Sequence, residues 1–574
     1  MTCAAQSVGS LGSLSGAHTL VACLQAAETK RIYGIVGTSN IGFVNALFDE
    51  REEIRYISTR HEQVAASMAE TEGRLTGKPG VCLVHSGPGA LNAMISTNSA
   101  RKDCSPLIII SGAVKDSLRG TDGMVEADHC KLFEPVCKAV YRVDSVAGIP
   151  SIFSSAYRTA MTPAKGPVLI EVPENYWQAE ENVDLGSIDI APPPPKKIGD
   201  AELEEVFRLF KESKRPLLLA GAGVFEAGAS SRLRKLAEDT NVRVVTTGNG
   251  RGALPETHGL CLGRTGFGGG SPVADAAMEQ ADLILGLGCC LSDLVTYEYT
   301  AQLAGKIVVV NADPDALATV PQSYKPGVLF INADTGDFLE KFQQTIGSDD
   351  GKKSDDWMDS LLPVKEQWEA QLEAAVSSDK TPLSPGRVLK VFSDLAPDDA
   401  IFACGAGLNA VYVCDFIKIG GPKCFIAPNN FGTMGVGFAA ALASKIVRPE
   451  RTVLSVLGDG DFMMTIQDIE TGIREGVVAT VVILNDNSYR ALRYSQNILY
   501  GGRIYGSEYD NPDFVKLAES FGAAGYRIET PDQIEPVLKK AMACGKLAIV
   551  DARIDVDDIV PTNMQAILKM RGLA

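Results

Sequence analysis

Long apolar runs and paired cysteine motifs are missing from this sequence. No window of the 574 residues holds about 18 uninterrupted apolar residues, so no membrane span is expected. Residues 1–16 are rich in Ser, Gly and Ala and lack a basic segment followed by an apolar one, so no signal peptide is predicted. None of the 13 Cys residues stands in a C-x-x-C pair, which is typical of reduced intracellular thiols. These absences predict a cytoplasmic protein.

A surplus of basic residues is missing as well. Lys and Arg total 54 against 71 Asp and Glu, which gives a formal net charge of −17. This acidic balance argues against a nucleic-acid partner or an anionic membrane surface, although it leaves room for a local basic pocket. Hydrophobic residues at 45% and charged residues at 22% exclude a disordered or collagen-like chain. We therefore expect an enzyme with a small-molecule substrate.

Strand-length apolar runs alternate with amphipathic segments in three successive stretches of the chain. This alternation predicts an α/β fold with three doubly wound parallel sheets, and we place the domains at residues 14–190, 198–346 and 384–560. Four consecutive prolines, 192–195, predict a stiff exposed linker. The predicted strands are 31–36, 54–58, 80–85, 106–111 and 167–172, then 216–220, 242–247, 281–287, 306–311 and 328–331, then 400–404, 423–427, 452–457, 479–485 and 547–551.

Two acidic turns follow neighbouring apolar runs of the third stretch. Asp459 stands between two glycines directly after one run, and Asp486 stands between two asparagines after the next, 27 residues further on. Parallel sheets bind ligands at the carboxyl ends of their strands, and glycines let the backbone approach a phosphate closely. Each turn alone is more typical of an ordinary strand end, where Gly, Asp and Asn are common. Together, two carboxylates spaced in this way predict a site for Mg²⁺ or Ca²⁺ bound to phosphate.

The motif Gly458-Asp459-Gly460 followed by Asn485-Asp486 resembles the metal-binding signature of thiamine-diphosphate enzymes. Motifs along nearly the whole chain are similar to acetolactate-synthase-like members of that family: Arg60-His61-Glu62-Gln63, Ser86-Gly87-Pro88-Gly89, Gly432-Thr433-Met434-Gly435 and Tyr500-Gly501-Gly502-Arg503. The resemblance implies pyrimidine-binding, middle and diphosphate-binding domains, in that order. It also implies a homodimer at least, commonly a homotetramer, in which the end domains of different subunits enclose the cofactor.

The resemblance further implies the activity and the cofactors. It predicts a carboligase or decarboxylase that forms or cleaves a C–C bond of a 2-oxo acid, with thiamine diphosphate and Mg²⁺. The metal would be bound by the side chains of Asp459 and Asp486 and by the carbonyl of Ser488, with Asp486 in the place of the family's second Asn. The predicted cofactor contacts are Gly405, Ala406, Gly407, Gly432, Met434, Gly458, Gly460 and the backbone N–H of Asp461.

Three residues are predicted to act in catalysis. Glu62, as the family glutamate, would hydrogen-bond the aminopyrimidine and favour the tautomer that takes the thiazolium proton; the alternative is a helix-start carboxylate stabilised by the helix dipole. His85 is either a proton shuttle or a packed strand-end residue. Arg490 either recognises an anionic group of the substrate near the pocket mouth or is a surface residue paired with Glu508 or Asp510.

Several positions depart from the acetolactate-synthase pattern. Val125 replaces a substrate-placing Gln, and the flavin-contacting element at 290–294 lacks both of its arginines, which argues against FAD. Residues 33–37 and 135–139 resemble the oxalyl-CoA decarboxylase and 2-hydroxyacyl-CoA lyase branch, which is the second interpretation. The pattern Gly405-x-Gly407-x-x-Ala410 leaves an NAD-binding oxidoreductase as a remote third. Gly221 and Gly223 either face a nucleotide moiety or merely end a strand.

Overall fold

The computed structural model describes residues 12–324, 327–346 and 351–559. These residues form two compact units: one comprises the chain up to residue 193 together with 430–447 and 465–477, and the other comprises the remainder. None of the described helices combines the length and the apolar character needed to cross a membrane.

Twenty strands are present in the described residues. They are β1 (Gly12–Ser15), β2 (Arg31–Gly34), β3 (Arg55–Ser58), β4 (Gly80–Val84), β5 (Leu107–Ala113), β6 (Ala139–Arg142), β7 (Pro167–Pro173), β8 (Glu180–Val183), β9 (Pro216–Ala220), β10 (Arg243–Thr246), β11 (Cys261–Arg264), β12 (Leu283–Leu287), β13 (Lys306–Asn311), β14 (Val328–Asn332), β15 (Ile401–Cys404), β16 (Phe425–Ile426), β17 (Val453–Gly458), β18 (Thr480–Asn485), β19 (Ala524–Ile528) and β20 (Ala548–Arg553).

Twenty α-helices alternate with these strands in the same described ranges. They are α1 (Gly16–Ala26), α2 (Ile41–Asp49), α3 (Glu62–Thr76), α4 (Pro88–Lys102), α5 (His129–Phe133), α6 (Ile149–Met161), α7 (Asp200–Glu212), α8 (Gly223–Glu226), α9 (Ser230–Thr240), α10 (Pro272–Gln280), α11 (Thr335–Ile346), α12 (Leu362–Val376), α13 (Pro385–Asp394), α14 (Leu408–Phe416), α15 (Val436–Val447), α16 (Asp459–Met463), α17 (Ile469–Arg474), α18 (Arg490–Leu499), α19 (Phe514–Ser520) and α20 (Ile534–Met542).

Three six-stranded sheets are present in the described residues, and the first and third share one topology that differs from that of the middle sheet. Their strand orders are β3-β2-β4-β5-β7-β6, β11-β10-β9-β12-β13-β14 and β16-β15-β17-β18-β20-β19. Every pairing within them is parallel, whereas β1 and β8 form a separate antiparallel pair. The prediction of three parallel α/β sheets is confirmed.

Each sheet has a point where the strand order reverses direction. It lies between β2 and β4 in the first sheet, between β9 and β12 in the second, and between β15 and β17 in the third. Open α/β sheets bind ligands outside the carboxyl ends of the strands at this point. The central strands are buried on both faces, as in β4, β9 and β18, so the predicted apolar runs coincide closely with them.

Candidate active site

The Glu62 carboxyl group lies at the start of α3 in the first unit. His61 caps the helix, with its side chain accepting from the backbone N–H of Gln63 at 3.1 Å. Glu62 is 8% exposed, and its Oε2 accepts from Asn92 Nδ2 at 3.0 Å. The helix N-terminus favours a negative charge here, so the structural and catalytic interpretations of Glu62 describe one geometry.

The Ser86–Gly89 loop brings His85 and Glu62 together. A Cβ at Gly89 would lie 3.0 Å from Glu62 Oε1 and 3.2 Å from His85 Cβ, so only glycine leaves both side chains in place. His85 follows β4, and Ser39 follows β2 across the reversal point of the first sheet. The loop that the sequence singled out therefore lies where this sheet is built to bind ligands.

Ser39 determines which ring nitrogen of His85 carries the proton. The backbone N–H of Ser39 donates to His85 Nδ1 at 3.3 Å, and Ser39 Oγ lies 2.7 Å from the same nitrogen. Because a backbone N–H can only donate, Nδ1 accepts and the neutral ring carries its proton on Nε2. Burial lowers the pKa of His85, which favours this neutral form.

His129 supports the same loop from behind. It is fully buried, its Nε2 accepts from the backbone N–H of Gly87 at 2.9 Å, and its Nδ1 lies 3.2 Å from Glu171 Oε2. Burial, with a smaller contribution from Arg142, lowers the pKa of His129 to about 4. Ser86 Oγ donates to the carbonyl of Val125 at 2.8 Å, so the segment that departs from the synthase pattern is tied to this loop.

The Gly432–Gly435 segment belongs to the first unit. The carbonyl of Met434 accepts from Gln63 Nε2 at 2.9 Å, and the carbonyl of Gly435 accepts from Thr465 Oγ1 at 3.1 Å. Gly432 has a φ of 67°, a conformation that glycine adopts without strain. Helix α15, which starts just after this segment, packs against α3. The side chains of α3 thus fix the backbone on which Met434 is presented.

Asp459 lies in the second unit, where β17 gives way to α16. Its carboxylate is 1% exposed. Oδ1 accepts from Gly460 N at 2.8 Å and Tyr509 Oη at 3.0 Å, and Oδ2 accepts from Asn487 N at 2.7 Å and Asn511 Nδ2 at 2.6 Å. Burial raises the pKa of Asp459, and these four donors oppose that shift by stabilising the ionised form.

Asp486 follows β18, the neighbour of β17. Its Oδ1 accepts from Ser488 N at 3.1 Å and Ser488 Oγ at 2.8 Å. Its Oδ2 is buried without a hydrogen-bond partner in the described residues, and Arg490 Nε lies 3.3 Å away. Burial raises the pKa of Asp486 to about 6, Arg490 lowers it, and the nearby Asp459 raises it.

An oxygen-rich cavity opens beside Asp486. It has a volume of about 420 Å³ and is lined by Asp486, Asn487, Ser488, Glu508, Tyr509, Asp510 and Val556. No three His, Cys, Asp or Glu side chains within the described ranges form a metal cluster by themselves. A buried carboxylate oxygen without a donor fits a hard cation, and two carboxylates with a backbone carbonyl would leave coordination positions for phosphate oxygens.

The loop after β15 packs against Asp461. A Cβ at Gly405 would lie 2.0 Å from Asp461 Oδ2, and the N–H of Ala406 donates to Asp461 Oδ1 at 3.3 Å. The side chain of Asp461 therefore points at the predicted diphosphate loop, not away from it. Gly407 has a φ of 103°, which favours glycine.

Gly458 and Gly460 flank Asp459 on the other side of the same reversal point. A Cβ at Gly460 would lie 2.5 Å from Tyr509 Oη and 2.6 Å from Tyr489 Cε1, which excludes any side chain there. The loops after β15 and β17, both predicted cofactor contacts, thus lie at the reversal point of the third sheet.

Arg490 is placed differently from the prediction. It is 8% exposed, and its Nη2 donates to the carbonyl of Asp555 at 2.7 Å and to that of Asp558. The predicted alternative, a pairing with Glu508, is also not found, because Glu508 accepts from Arg493 at 2.8 Å. Arg490 is buried by the segment that follows β20 and is not a free cation at a pocket mouth.

The two glycines of the middle sheet have a packing role. A Cβ at Gly221 would lie 2.3 Å from the carbonyl oxygen of Gly288, and the N–H of Gly223 donates to the same oxygen at 3.0 Å. At the reversal point of this sheet, the backbones after β9 and β12 therefore touch. This close approach by itself requires Gly221.

Sequence reasoning missed the residues that position the predicted ones. Ser39, Asn92, Tyr509 and Asn511 are joined to the motifs only by the fold, and their spacing carries no recognisable signal.

Comparison with known families identifies the class of protein. The model of the thiamine pyrophosphate enzyme N-terminal TPP binding domain matches residues 14–132, the central domain matches 203–342, and the C-terminal TPP binding domain matches 405–552. The chain therefore belongs to the thiamine pyrophosphate enzyme family, and the predicted resemblance is confirmed.

Within this family, the chain is similar to several acetolactate synthase large subunits. A "Probable acetolactate synthase large subunit" of Methanocaldococcus jannaschii is 32% identical over 96% of this chain and 93% of the relative. The acetolactate synthase large subunit of Haemophilus influenzae is 31% identical over 95% and 96%, and that of Corynebacterium glutamicum is 30% identical over 96% and 88%. The chain is similar to these proteins over almost their whole length.

Proposed function

We propose that this protein is a thiamine-diphosphate- and Mg²⁺-dependent enzyme that forms or cleaves a C–C bond of a 2-oxo acid, with acetolactate-synthase-like carboligation as its principal reaction. The observation that carries the proposal is the buried Glu62 carboxylate at the start of α3, held by Asn92 and next to His85. The similarity to acetolactate synthase large subunits supports carboligation over simple decarboxylation.

Thiamine diphosphate, when bound, supplies the electron sink for the carbanion that forms next to a carbonyl. Glu62 would hold a proton against a ring nitrogen of the cofactor, and Met434 would support the ring from a backbone fixed by Gln63. His85 presents Nε2–H, and the neutral ring can donate a hydrogen bond from that atom without bringing a charge into a half-buried site.

The metal would be held by the side chains of Asp459 and Asp486 and the carbonyl of Ser488. Tyr509, Asn511 and the N–H of Asn487 orient Asp459 for that role. Gly407 and Gly458, on the two sides of the third reversal point, would let the backbone approach diphosphate oxygens, whereas the space beside Gly405 and Gly460 is taken by protein side chains.

We further propose that two copies of the chain associate, and that the dimer is the smallest active form. Apolar side chains are exposed on two helices of the first unit: Ile41 and Phe48 on α2, and Leu91 and Ile95 on α4. Ile41 and Phe48 lie two helical turns apart and Leu91 and Ile95 one turn apart, so each pair exposes apolar surface on one face of its helix, which is typical of a protein interface.

The test is a substrate panel with the purified protein, thiamine diphosphate and MgCl₂. Pyruvate, other 2-oxo acids, aldehydes and acyl-CoA thioesters are incubated singly and in pairs, and the products are identified by mass. We expect a 2-hydroxy-2-acyl acid and CO₂ from 2-oxo acids, lost when EDTA replaces Mg²⁺. Turnover of acyl-CoA alone would instead support the lyase interpretation, and no product from any substrate would contradict the proposal.

A further inference from the structure

Arg490 occupies a position that a cation does not favour. It is the first residue of α18, and positive charge at a helix N-terminus is opposed by the helix dipole. It is also buried, and a buried guanidinium needs an anionic or strongly polar partner. Something at this position must compensate both costs.

The compensating partner is the carboxylate of Asp486, four residues earlier in the chain and outside the helix. Arg490 Nε lies 3.3 Å from Asp486 Oδ2, and neither atom has a hydrogen bond elsewhere in the described residues. The side chains are 8% and 2% exposed, so water screens the pair little. Oδ1 is already held by Ser488, which leaves Oδ2 to face Arg490.

The other end of the guanidinium holds the chain that follows β20. Nη2 donates to the carbonyls of Asp555 and Asp558, and Tyr412, whose ring centroid lies 5.0 Å from Arg490 Cζ, donates to the same Asp558 carbonyl at 2.6 Å. Val556, between these two residues, lines the cavity with Asp486. Arg490 thus joins the carboxylate to one wall of that cavity.

We propose that Arg490 is a positioning residue of the metal site: it balances the charge of Asp486, orients that carboxylate and fixes residues 555–558 beside it. This inference rests on the proposed function, since it takes Asp486 as a metal ligand. It replaces substrate recognition as the role of Arg490.

The charge-balance argument makes a specific prediction for Asp486→Asn. That variant leaves Arg490 buried and unpaired beside an incoming cation, so Mg²⁺ binding should weaken by roughly 10–100 fold. Asp486→Asn/Arg490→Met removes both charges and should recover most of that loss. Arg490→Met alone leaves an uncompensated buried carboxylate, so the metal-free protein should melt about 5 °C or more lower, and Mg²⁺ should restore much of the difference.

The experiment measures Tm during titration with MgCl₂ and inorganic diphosphate for the wild type, both single variants and the double variant. Arg493→Met is the matched control, because Arg493 lies on the same helix and pairs with Glu508 and Asp557 but does not contact Asp486. Arg490→Lys keeps the charge and should keep the wild-type Mg²⁺ dependence if Arg490→Met does not fold. A purely structural Arg490 would lower Tm equally with and without Mg²⁺.

Additive effects of the two single changes, or a double variant no better than Asp486→Asn, would overturn the inference. The probe contains no thiamine and no substrate, so this outcome is separate from that of the substrate panel. Coupled variants with an empty product panel would contradict the proposed function and leave the Arg490 assignment standing.

Discussion

The half-site around Glu62 and the half-site around Asp459 are built on sheets of the same topology but satisfy their polar groups differently. Around Glu62 the contacts are to neutral groups: an amide from Asn92 and an imidazole whose tautomer is set by Ser39. Around Asp459 a second carboxylate, Asp486, is close enough to interact electrostatically, and within the described residues Asp486 Oδ2 faces Arg490 without a hydrogen bond. The first arrangement is suited to moving a proton and the second to holding a cation.

The middle sheet differs from the first and third sheets at its reversal point. Its strand order differs, with three strands instead of two on the first side of the reversal point, and at that point the backbones of Gly221 and Gly288 are in close contact. Topology therefore creates a place for a ligand, and the side chains and glycines at that place decide whether it is used.

The largest expected effect is a loss of turnover in Glu62→Gln, a change that should affect catalysis but not cofactor binding. Glu62→Gln keeps the size of the side chain and its contact to Asn92 but cannot hold the required proton. We expect kcat to fall by about 10²–10⁴ fold while thiamine diphosphate affinity changes little. Steady-state rates and calorimetry measure the two quantities, with the exposed Glu52→Gln as control. Near wild-type turnover would remove Glu62 from the mechanism.

The second largest expected effect is a loss of cofactor binding in Asp459→Ala. Asp459→Ala removes a metal ligand and deprives four donors of their acceptor, so thiamine diphosphate affinity in the presence of Mg²⁺ should fall by roughly 100 fold or more. Tm should also fall, because buried donors lose their partners. Calorimetry on Asp459→Ala checks the first result and thermal unfolding the second. Unchanged affinity would mean that the second half-site does not bind the metal.

These predictions concern residues in motifs that are recognisable in the sequence. Some strands were not recognisable in the same way, and the fold shows why. Besides the antiparallel pair β1 and β8, the apolar pattern missed β6, β11 and β19, each at an edge of its six-stranded sheet and none buried along its whole length. Such strands need no continuous apolar run, whereas the central strands do.

Some residues of the candidate site were also recognisable from the sequence, whereas the surroundings of others depend on the fold. Asp459 and Asp486 closely follow predicted strands, so the local pattern was enough to single them out, whereas Glu62 was singled out by the resemblance of Arg60-His61-Glu62-Gln63 to a family motif. The burial of Arg490 depends on residues 555–558, more than sixty positions away in the chain, and no local pattern contains it.

A smaller effect concerns the support of the Ser86–Gly89 loop. His129 has a pKa of about 4 in the folded protein, below the 6.5 of an ordinary imidazole, so the folded state opposes its protonation. Its contribution to stability is complete above pH 6.5 and is lost as the pH falls toward 4, by an amount on the order of 3 kcal/mol.

His129→Gln tests this contribution. The variant should be less stable than the wild type at pH 7 and should lose less stability on acidification. Denaturant unfolding at several pH values measures both slopes, and comparing the two proteins cancels the other titrating groups. Parallel slopes would show that His129 does not titrate in this range.

The contact between Gly405 and Asp461 constrains how this enzyme can change. A side chain at position 405 meets the Asp461 carboxylate, so its acceptance depends on which residue already occupies position 461. The order of substitutions therefore matters: a smaller residue at 461 must come before any side chain at 405. In a mutational scan the two positions should show epistasis, and side chains at position 405 should be accepted more often when residue 461 is smaller than Asp.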